Sequence, residues 1–225
     1  MPSARADAAF AAHNGVLFVT FGWCDGCGNL LSDAHRYDIA TMQWTALASA
    51  KGSARLSHCL AALGTTLFAL GGRGESGLRV DMLTLEVGNA TAPWTTQSIS
   101  GAPSLVPAAR RGAALADVGG RLVLFGGLNS EASPSRYYND MHMLRPGNFS
   151  WDVVSSATDP VPAGRAFFGR AAVIGCSVYV KGGLLADNEF SDELWQFQVN
   201  PDKTGSCKCP PGLSGPDSGI CSPCP

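Results

Sequence analysis

Charge is scarce in this sequence. Its 225 residues carry 16 Lys and Arg against 18 Asp and Glu, a net charge of −2. Such a chain offers no electrostatic footprint for a general nucleic-acid role. Long apolar runs are lacking too: no stretch reaches the ~18 residues of a membrane-spanning helix, so no direct membrane insertion is expected. The opening Met1-Pro2-Ser3-Ala4-Arg5 has no apolar core of the signal-peptide kind, which taken alone reads as cytoplasmic. Local signatures of catalysis are also missing. There is no nucleophile elbow, and Gly71-Gly72-Arg73-Gly74 lacks the lysine and following helix of a phosphate loop. The histidines His13, His35, His58 and His142 form no evident cluster. No cofactor and no metal site are implied, and the chain does not read as an enzyme.

What is plentiful is turn chemistry, with 27 glycines and 14 prolines, and the turns are periodic. Four segments align: Leu17-Phe-Val-Thr-Phe-Gly22, Leu67-Phe-Ala-Leu-Gly-Gly72, Leu122-Val-Leu-Phe-Gly-Gly127 and Val178-Tyr-Val-Lys-Gly-Gly183. Their last glycines are 50, 55 and 56 residues apart. An arginine precedes each glycine by 17 residues (Arg5, Arg55, Arg110) or by 18 (Arg165). Asp33, Asp81, Asp140 and Asp192 then open alternating stretches, and Trp44, Trp94 and Trp151 follow in the first three copies. Each unit holds short apolar runs between Gly, Pro, Ser and Asn clusters, the pattern of a four-stranded antiparallel meander. The second run is apolar at almost every position, as in a strand covered on both faces.

Glycine pair, downstream aromatic and tryptophan at a period near 50 resemble the kelch-repeat family over about residues 3–200. The first copy departs with Phe21-Gly22, and the second and third have leucine where the family often has tyrosine. The resemblance implies an all-β chain, a β-propeller of kelch blades at about 1–50, 51–105, 106–161 and 162–200, most often a protein-binding module. Kelch rings resemble those with about six or seven blades, and propellers in general have about four to eight. About fifteen strands are expected here, because Met1 falls just before the first inner strand and Asn200-Pro201 breaks the fourth unit before an outer one. The array therefore reads as an incomplete ring, part of a longer multidomain chain; a closed four-bladed ring is the other possibility.

Residues 201–225 differ in kind, with Cys207, Cys209, Cys221 and Cys224 separated by Pro-Pro-Gly and Ser-Gly-Pro turns. Such a segment has no apolar core and needs bridges or metal. It resembles part of an EGF-like or ephrin-receptor-like cysteine module, and joined to kelch blades it resembles the attractin type of ectodomain. The resemblance implies disulfides in this tail; zinc is the alternative. Cys24-Asp25-Gly26-Cys27 reads as a local disulfide within a loop, and Cys59 as a buried thiol. The sequons Asn89-Ala90-Thr91 and Asn148-Phe149-Ser150 are glycosylation candidates on the outer rim. Together these favour an extracellular or cell-surface location over a cytoplasmic one.

Residues recurring in every blade read first as scaffold. For the arginines, the alternative is a ring at the channel mouth that collects anions. For the aspartates, the expectation is local bonding to backbone N–H groups at the strand start. Ligand contacts are expected instead in the variable loops after each second strand, which share one propeller face. Their non-repeating residues are Trp23, Arg73, Glu75, Arg79, Glu131, Arg136, Tyr137, Tyr138 and Glu189. The reading is a non-catalytic platform for a protein or glycan. A sugar oxidase or epimerase with its site at the channel mouth, and a cytosolic kelch adaptor with a zinc-binding tail, are its rivals.

Overall fold

A computed structural model describes residues 1–89, 91–154, 162–167, 171–175 and 177–199, and a two-residue ladder between 213–214 and 222–223. The first blade is a meander of β1 (Ala9–His13), β2 (Val16–Cys24), β3 (Asn29–Asp38) and β4 (Gln43–Leu47), in that order. Its first hairpin turns at Asn14-Gly15, both at positive φ (48° and 74°), the conformation whose twist matches the flanking strands. The second blade is built from β5 (Cys59–Leu63), β6 (Thr66–Leu70), β9 (Met82–Glu86) and β10 (Thr95–Gln97). A small hairpin of β7 (Arg73–Gly74) and β8 (Gly77–Leu78) rises from its middle.

The third blade repeats this plan with β11 (Ala114–Val118), β12 (Arg121–Phe125), β15 (Met141–Arg145) and β16 (Ser150–Val153). Its hairpin is β13 (Leu128–Asn129) and β14 (Arg136–Tyr137). The fourth comprises β17 (Arg165–Ala166), β18 (Ala172–Ile174), β19 (Ser177–Leu185) and β20 (Phe190–Gln198), with β19 pairing all three others.

The core lies between blades. Phe18, Phe21, Leu60 and Leu83 fill the first interface, Leu70, Met82, Leu124 and Trp151 the second, and Phe125, Met143, Val178 and Val180 the third. This explains the apolar second strands: β6 and β12 are buried along nearly their whole length because a neighbour covers each face. In the first blade β3 has a neighbour on one side and is mostly half-buried. The inner strands pack in succession, β1 on β5, β5 on β11 and β11 on β18. Among the described residues β1 and β18 do not pack as these neighbours do, so the blades form an arc. No helix of the described residues is long and apolar enough to cross a membrane.

Candidate recognition face

The linkers and the loops after each second strand meet on one face, and the recurrent arginines are the keystones beneath it. Arg55 is wholly buried. Its Nε donates to Ser53 O, its Nη1 to Gly71 O and Asp81 Oδ1, and its Nη2 to Asp81 Oδ2 at 2.7 Å. Arg110 makes the same set with Ala108 O, Gly126 O and Asp140. Arg5 does so with Ser3 O, Phe21 O and Asp33. These arginines direct four or five of their five N–H donors into the blade and are buried beneath the face, which favours the scaffold role over anion collection.

The aspartates take the guanidinium fork rather than local backbone N–H groups, which corrects the turn-bonding expectation. Two of them also hold a histidine: His35 Nε2 lies 2.8 Å from Asp33 Oδ2 and His142 Nε2 lies 2.9 Å from Asp140 Oδ2. Burial pushes the Asp140 carboxyl up, but its bonds to Arg110 and His142 outweigh that and hold it well below the usual carboxylate range. Asp33 is lowered by the same balance, with Arg5 and His35 as partners. In the fourth blade Glu193, not Asp192, holds the ladder position of the other three carboxylates, one residue before the strand partner of Lys181. Arg165 Nη2 bonds Glu193 Oε2 at 2.8 Å, and Asp192 instead offers its main-chain oxygen to Lys181.

The second, third and fourth keystones also hand their carbonyls to the preceding blade. Gly22 N donates to Arg55 O (2.9 Å), Gly72 N to Arg110 O (3.0 Å) and Gly127 N to Arg165 O (2.8 Å). Two residues past each arginine, Ser57 N donates to Asp7 O, Gly112 N to Ser57 O and Phe167 N to Gly112 O, all at 2.8 Å. These four residues all have positive φ, between 50° and 63°. The glycine pair is needed because the backbones come so close. A Cβ on Gly71 would sit 2.8 Å from Arg110 O, and one on Gly72 would sit 2.7 Å from Leu56 O.

On this frame the loop residues separate. Arg73 and Glu75 are exposed on the second-blade hairpin, Arg136 is exposed on the third, and Glu189 is exposed in the fourth-blade loop. Trp23 is half-buried, its backbone bonded to Ala6. Glu131 reaches across blades: its Oε1 accepts from Leu78 N at 2.8 Å, tying the two hairpins together. Tyr137 is half-buried beside them. Tyr138 is 6% exposed, with the Arg110 guanidinium 4.0 Å and the Arg136 guanidinium 5.1 Å from its ring centre. It supports the face from below rather than presenting itself. Arg79 is half-buried, donating to Gly52 O.

Sequence reasoning passed over Arg111 and Phe167. The Arg111 guanidinium stacks 5.3 Å over the Phe167 ring, which is 36% exposed and fills the space above Gly112. Their signal was available: they stand one and two residues after a recurrent arginine, where the other copies hold Ala6, Leu56 and Ala166, or Asp7, Ser57 and Gly112.

Buried polar groups near the axis look structural. His58 bonds Thr20 Oγ1 at 2.7 Å across the first interface, and burial with Arg55 nearby lowers its pKa to about 3. Burial pushes the Cys59 thiol up to about 12. Among the described residues no three His, Cys, Asp or Glu side chains are placed to share a metal ion. Cys24 and Cys27 are joined at the tip of the β2–β3 hairpin, Cα atoms 5.3 Å apart. Cys207, Cys209, Cys221 and Cys224 lie outside the described residues. Asn89 and Asn148 are exposed between third and fourth strands, and each Oδ1 accepts from the hydroxyl two residues on, Thr91 or Ser150, at 2.8 Å.

A propeller arc whose blades are pinned by a repeated Arg–carboxylate keystone, with variable loops gathered above it, defines a repeat-built β-propeller. The chain belongs to the kelch-repeat family: the KLHDC2/KLHL20/DRC7 Kelch-repeats domain matches residues 53–219 and the Kelch motif matches residues 4–51. It is similar to the human "Kelch domain-containing protein 3", 27% identical over 67% of this chain and 40% of that protein. It is also similar to the bovine "Rab9 effector protein with kelch motifs", 28% identical over 72% of this chain and 42% of that protein. The chain thus spans less than half the length of these relatives. The solved structure of YjhT shares the fold, with TM-score 0.69 and 16% identity over 90% of this chain and 69% of that one.

Proposed function

We propose that the chain is a non-catalytic recognition platform that binds a protein segment on the loop face of its second and third blades. The observation that carries this reading is the bridge from Glu131 to Leu78 N. It joins two variable hairpins into one preorganised surface that presents Arg73, Glu75 and Arg136. Arginine beside aromatic groups is the usual chemistry of interface anchors, and a surface held rigid before binding loses less entropy on complex formation. A bovine relative named as an effector of Rab9 supports a protein rather than a glycan ligand.

Selection of a random peptide display library on the folded chain tests the reading. Enriched peptides should lose binding at least tenfold to an R73A/R136A variant and keep it for a variant altered on the opposite face, such as T65A. No enrichment, or enrichment indifferent to R73A/R136A, overturns it. Enrichment on a glycan array instead of the peptide library would transfer the same face to the glycan reading.

The joined Cys24 and Cys27 and the two outer-rim sequons support an oxidising, extracellular setting for the protein. Secretion from a eukaryotic host should yield a mass shift at Asn89 and Asn148 that N-glycosidase removes, with no free thiol among the tail cysteines. Unmodified asparagines and free tail thiols would favour the cytosolic adaptor.

A further inference from the structure

Arg5, Arg55, Arg110, Arg145 and Arg165 each hold a carboxylate at 2.8 Å or closer. Arg73, Arg111 and Arg136 have no carboxylate within ion-pair distance among the described residues. All three stand on the loop face of the second and third blades. Two of them rest on aromatic rings, Arg111 at 5.3 Å over Phe167 and Arg136 at 5.1 Å over Tyr138. A guanidinium seated on a ring through its flat side keeps its N–H edge for oxygen acceptors in its own plane.

Strand pairing strings these arginines along the joined hairpins rather than around one point. Arg73 is the partner of Leu78, whose amide is the group that Glu131 accepts from. Arg136 is the partner of Asn129 in the hairpin that carries Glu131, and Arg111 bridges to the adjoining Leu128. Segments 73–79 and 128–138, with Arg111 at their foot, hold four arginines against Glu75 and Glu131. Beneath them Asp81 and Asp140 are matched by Arg55 and Arg110. This part of the face is therefore basic in a chain whose net charge is −2. The loops on either side have the opposite sign: Asp25 is exposed in the first blade, Asp187 and Glu189 in the fourth.

We infer that the protein segment taken by this face is acidic at its centre, an extended stretch whose Asp or Glu side chains pair with Arg73, Arg111 and Arg136. The inference rests on the reading of the face as a peptide site and names the chemistry of its ligand. Carboxylates spaced along an extended chain suit guanidiniums spaced along two hairpins, each able to take one carboxylate through two parallel N–H bonds. A single compact anion would need the arginines gathered around one point. A long polyanion would run on over Asp25 or over Asp187 and Glu189 and be repelled there. The acidic flanks thus confine the ligand's negative charge to its middle, which sets register and partner choice more than it adds affinity.

A random octapeptide display library selected on the whole chain, followed by synthetic peptides of the enriched sequences, tests this. Peptides whose binding needs Arg73 and Arg136 should be enriched in Asp and Glu at their central positions and not at their ends. Replacing those acids by Asn or Gln should weaken binding about tenfold or more, and raising NaCl from about 0.05 to about 0.5 M should weaken it comparably. A charge swap reads the pairing itself: R136E, with an unchanged circular dichroism spectrum, should reject the parent peptide and accept one of its single Asp→Lys or Glu→Lys derivatives. Peptides that depend on Arg73 and Arg136 but carry no central acid overturn the inference and leave the platform reading standing. Absence of any enriched peptide removes that reading and the inference with it. A heparin octasaccharide that binds as tightly as the acidic peptides, with the same arginine dependence, makes the patch a general polyanion site and also overturns the inference.

Discussion

Replacing Asp81 by Asn tests the keystone directly. The substitution is nearly isosteric, yet it leaves the wholly buried Arg55 guanidinium without its charge partner. The native carboxylate accepts from Nη1 at 3.1 Å and Nη2 at 2.7 Å. The amide can accept one of these bonds, and its NH2 group then faces a second donor. Removing one partner of a fully buried pair costs about 3–5 kcal/mol. The Asp81 side chain is a quarter exposed, and water can reach it, so the cost here is reduced to about 2–4 kcal/mol. For a chain of this size each kcal/mol moves the thermal midpoint by about 2–4 °C, which gives a loss of roughly 4–16 °C. Thermal and urea unfolding followed by circular dichroism reads it, with E75Q on the exposed hairpin as a control that should stay within about 0.5 kcal/mol of wild type. R55K should fall into the same range as D81N, because an ammonium cannot span Gly71 O and both carboxylate oxygens. A D81N midpoint indistinguishable from that of E75Q would refute the keystone reasoning.

Acid should destabilise the chain in two windows. His58, lowered to about 3 from 6.5, binds fewer protons folded than unfolded between those values. Its stabilising share is therefore full above about pH 6.5 and is lost as pH falls towards 3. Asp33 and Asp140 are lowered, so their share is present above the unfolded value of 3.8 and disappears on further acidification through the folded value. The urea midpoint against pH should slope downward below pH 6.5, and H58Q should flatten the segment between 6.5 and 4; an unchanged slope in H58Q counts against a neutral buried His58. Gly72→Ala should lose about 3 kcal/mol or more by urea unfolding, because the new methyl meets Leu56 O and His58 Cβ at 2.7 and 2.8 Å. Gly15→Ala, with positive φ but nothing within 4 Å, should lose only about 1 kcal/mol, and equal losses would contradict the steric argument. Glu131→Ala should release the Leu78 amide, raising its hydrogen exchange by about fivefold for ~1 kcal/mol; unchanged protection at Leu78 would show that the two hairpins are held by something else.

The blades were legible in the sequence because a repeat writes each geometric requirement four times. Arginine, glycine pair and aspartate recur at nearly fixed offsets, and those offsets correspond to the Arg55–Asp81 and Arg110–Asp140 pairs. That the two marks bond each other was less visible, since an offset says that a residue is needed and not what it touches. The fourth copy shows the limit. Glu193 stands one residue before the strand partner of Lys181, just as Asp33 stands one residue before the partner of Thr20, so the carboxylate role belongs to Glu193 by pairing register and not to Asp192. Residue type alone favoured Asp192. On the loop face, exposure decided between residues that looked alike in the sequence: Arg73 and Arg136 project from hairpins, whereas Tyr138 slips beneath Arg110. Arg111 and Phe167 were hidden for the opposite reason, because they sit inside the repeat register where scaffold was expected.

Those two residues indicate how such a platform acquires specificity. The main-chain bonds around the axis need only a carbonyl, an N–H and a positive φ at the second residue after each arginine. They do not need any particular side chain there, provided the strain of a positive φ is met. Asp, Ser, Gly and Phe accordingly occupy the four equivalent places. The strain costs on the order of 1 kcal/mol for a residue other than glycine. That cost is offset by the two interblade hydrogen bonds beside it, one to the keystone carbonyl and one along the axis. The arginine keystone thus fixes the backbone and leaves the adjoining side chain unconstrained. Phe167 under the Arg111 guanidinium is a non-repeating feature carried by the most regular part of the fold, and the Arg111 backbone pairs with Leu128 at the foot of the third-blade hairpin.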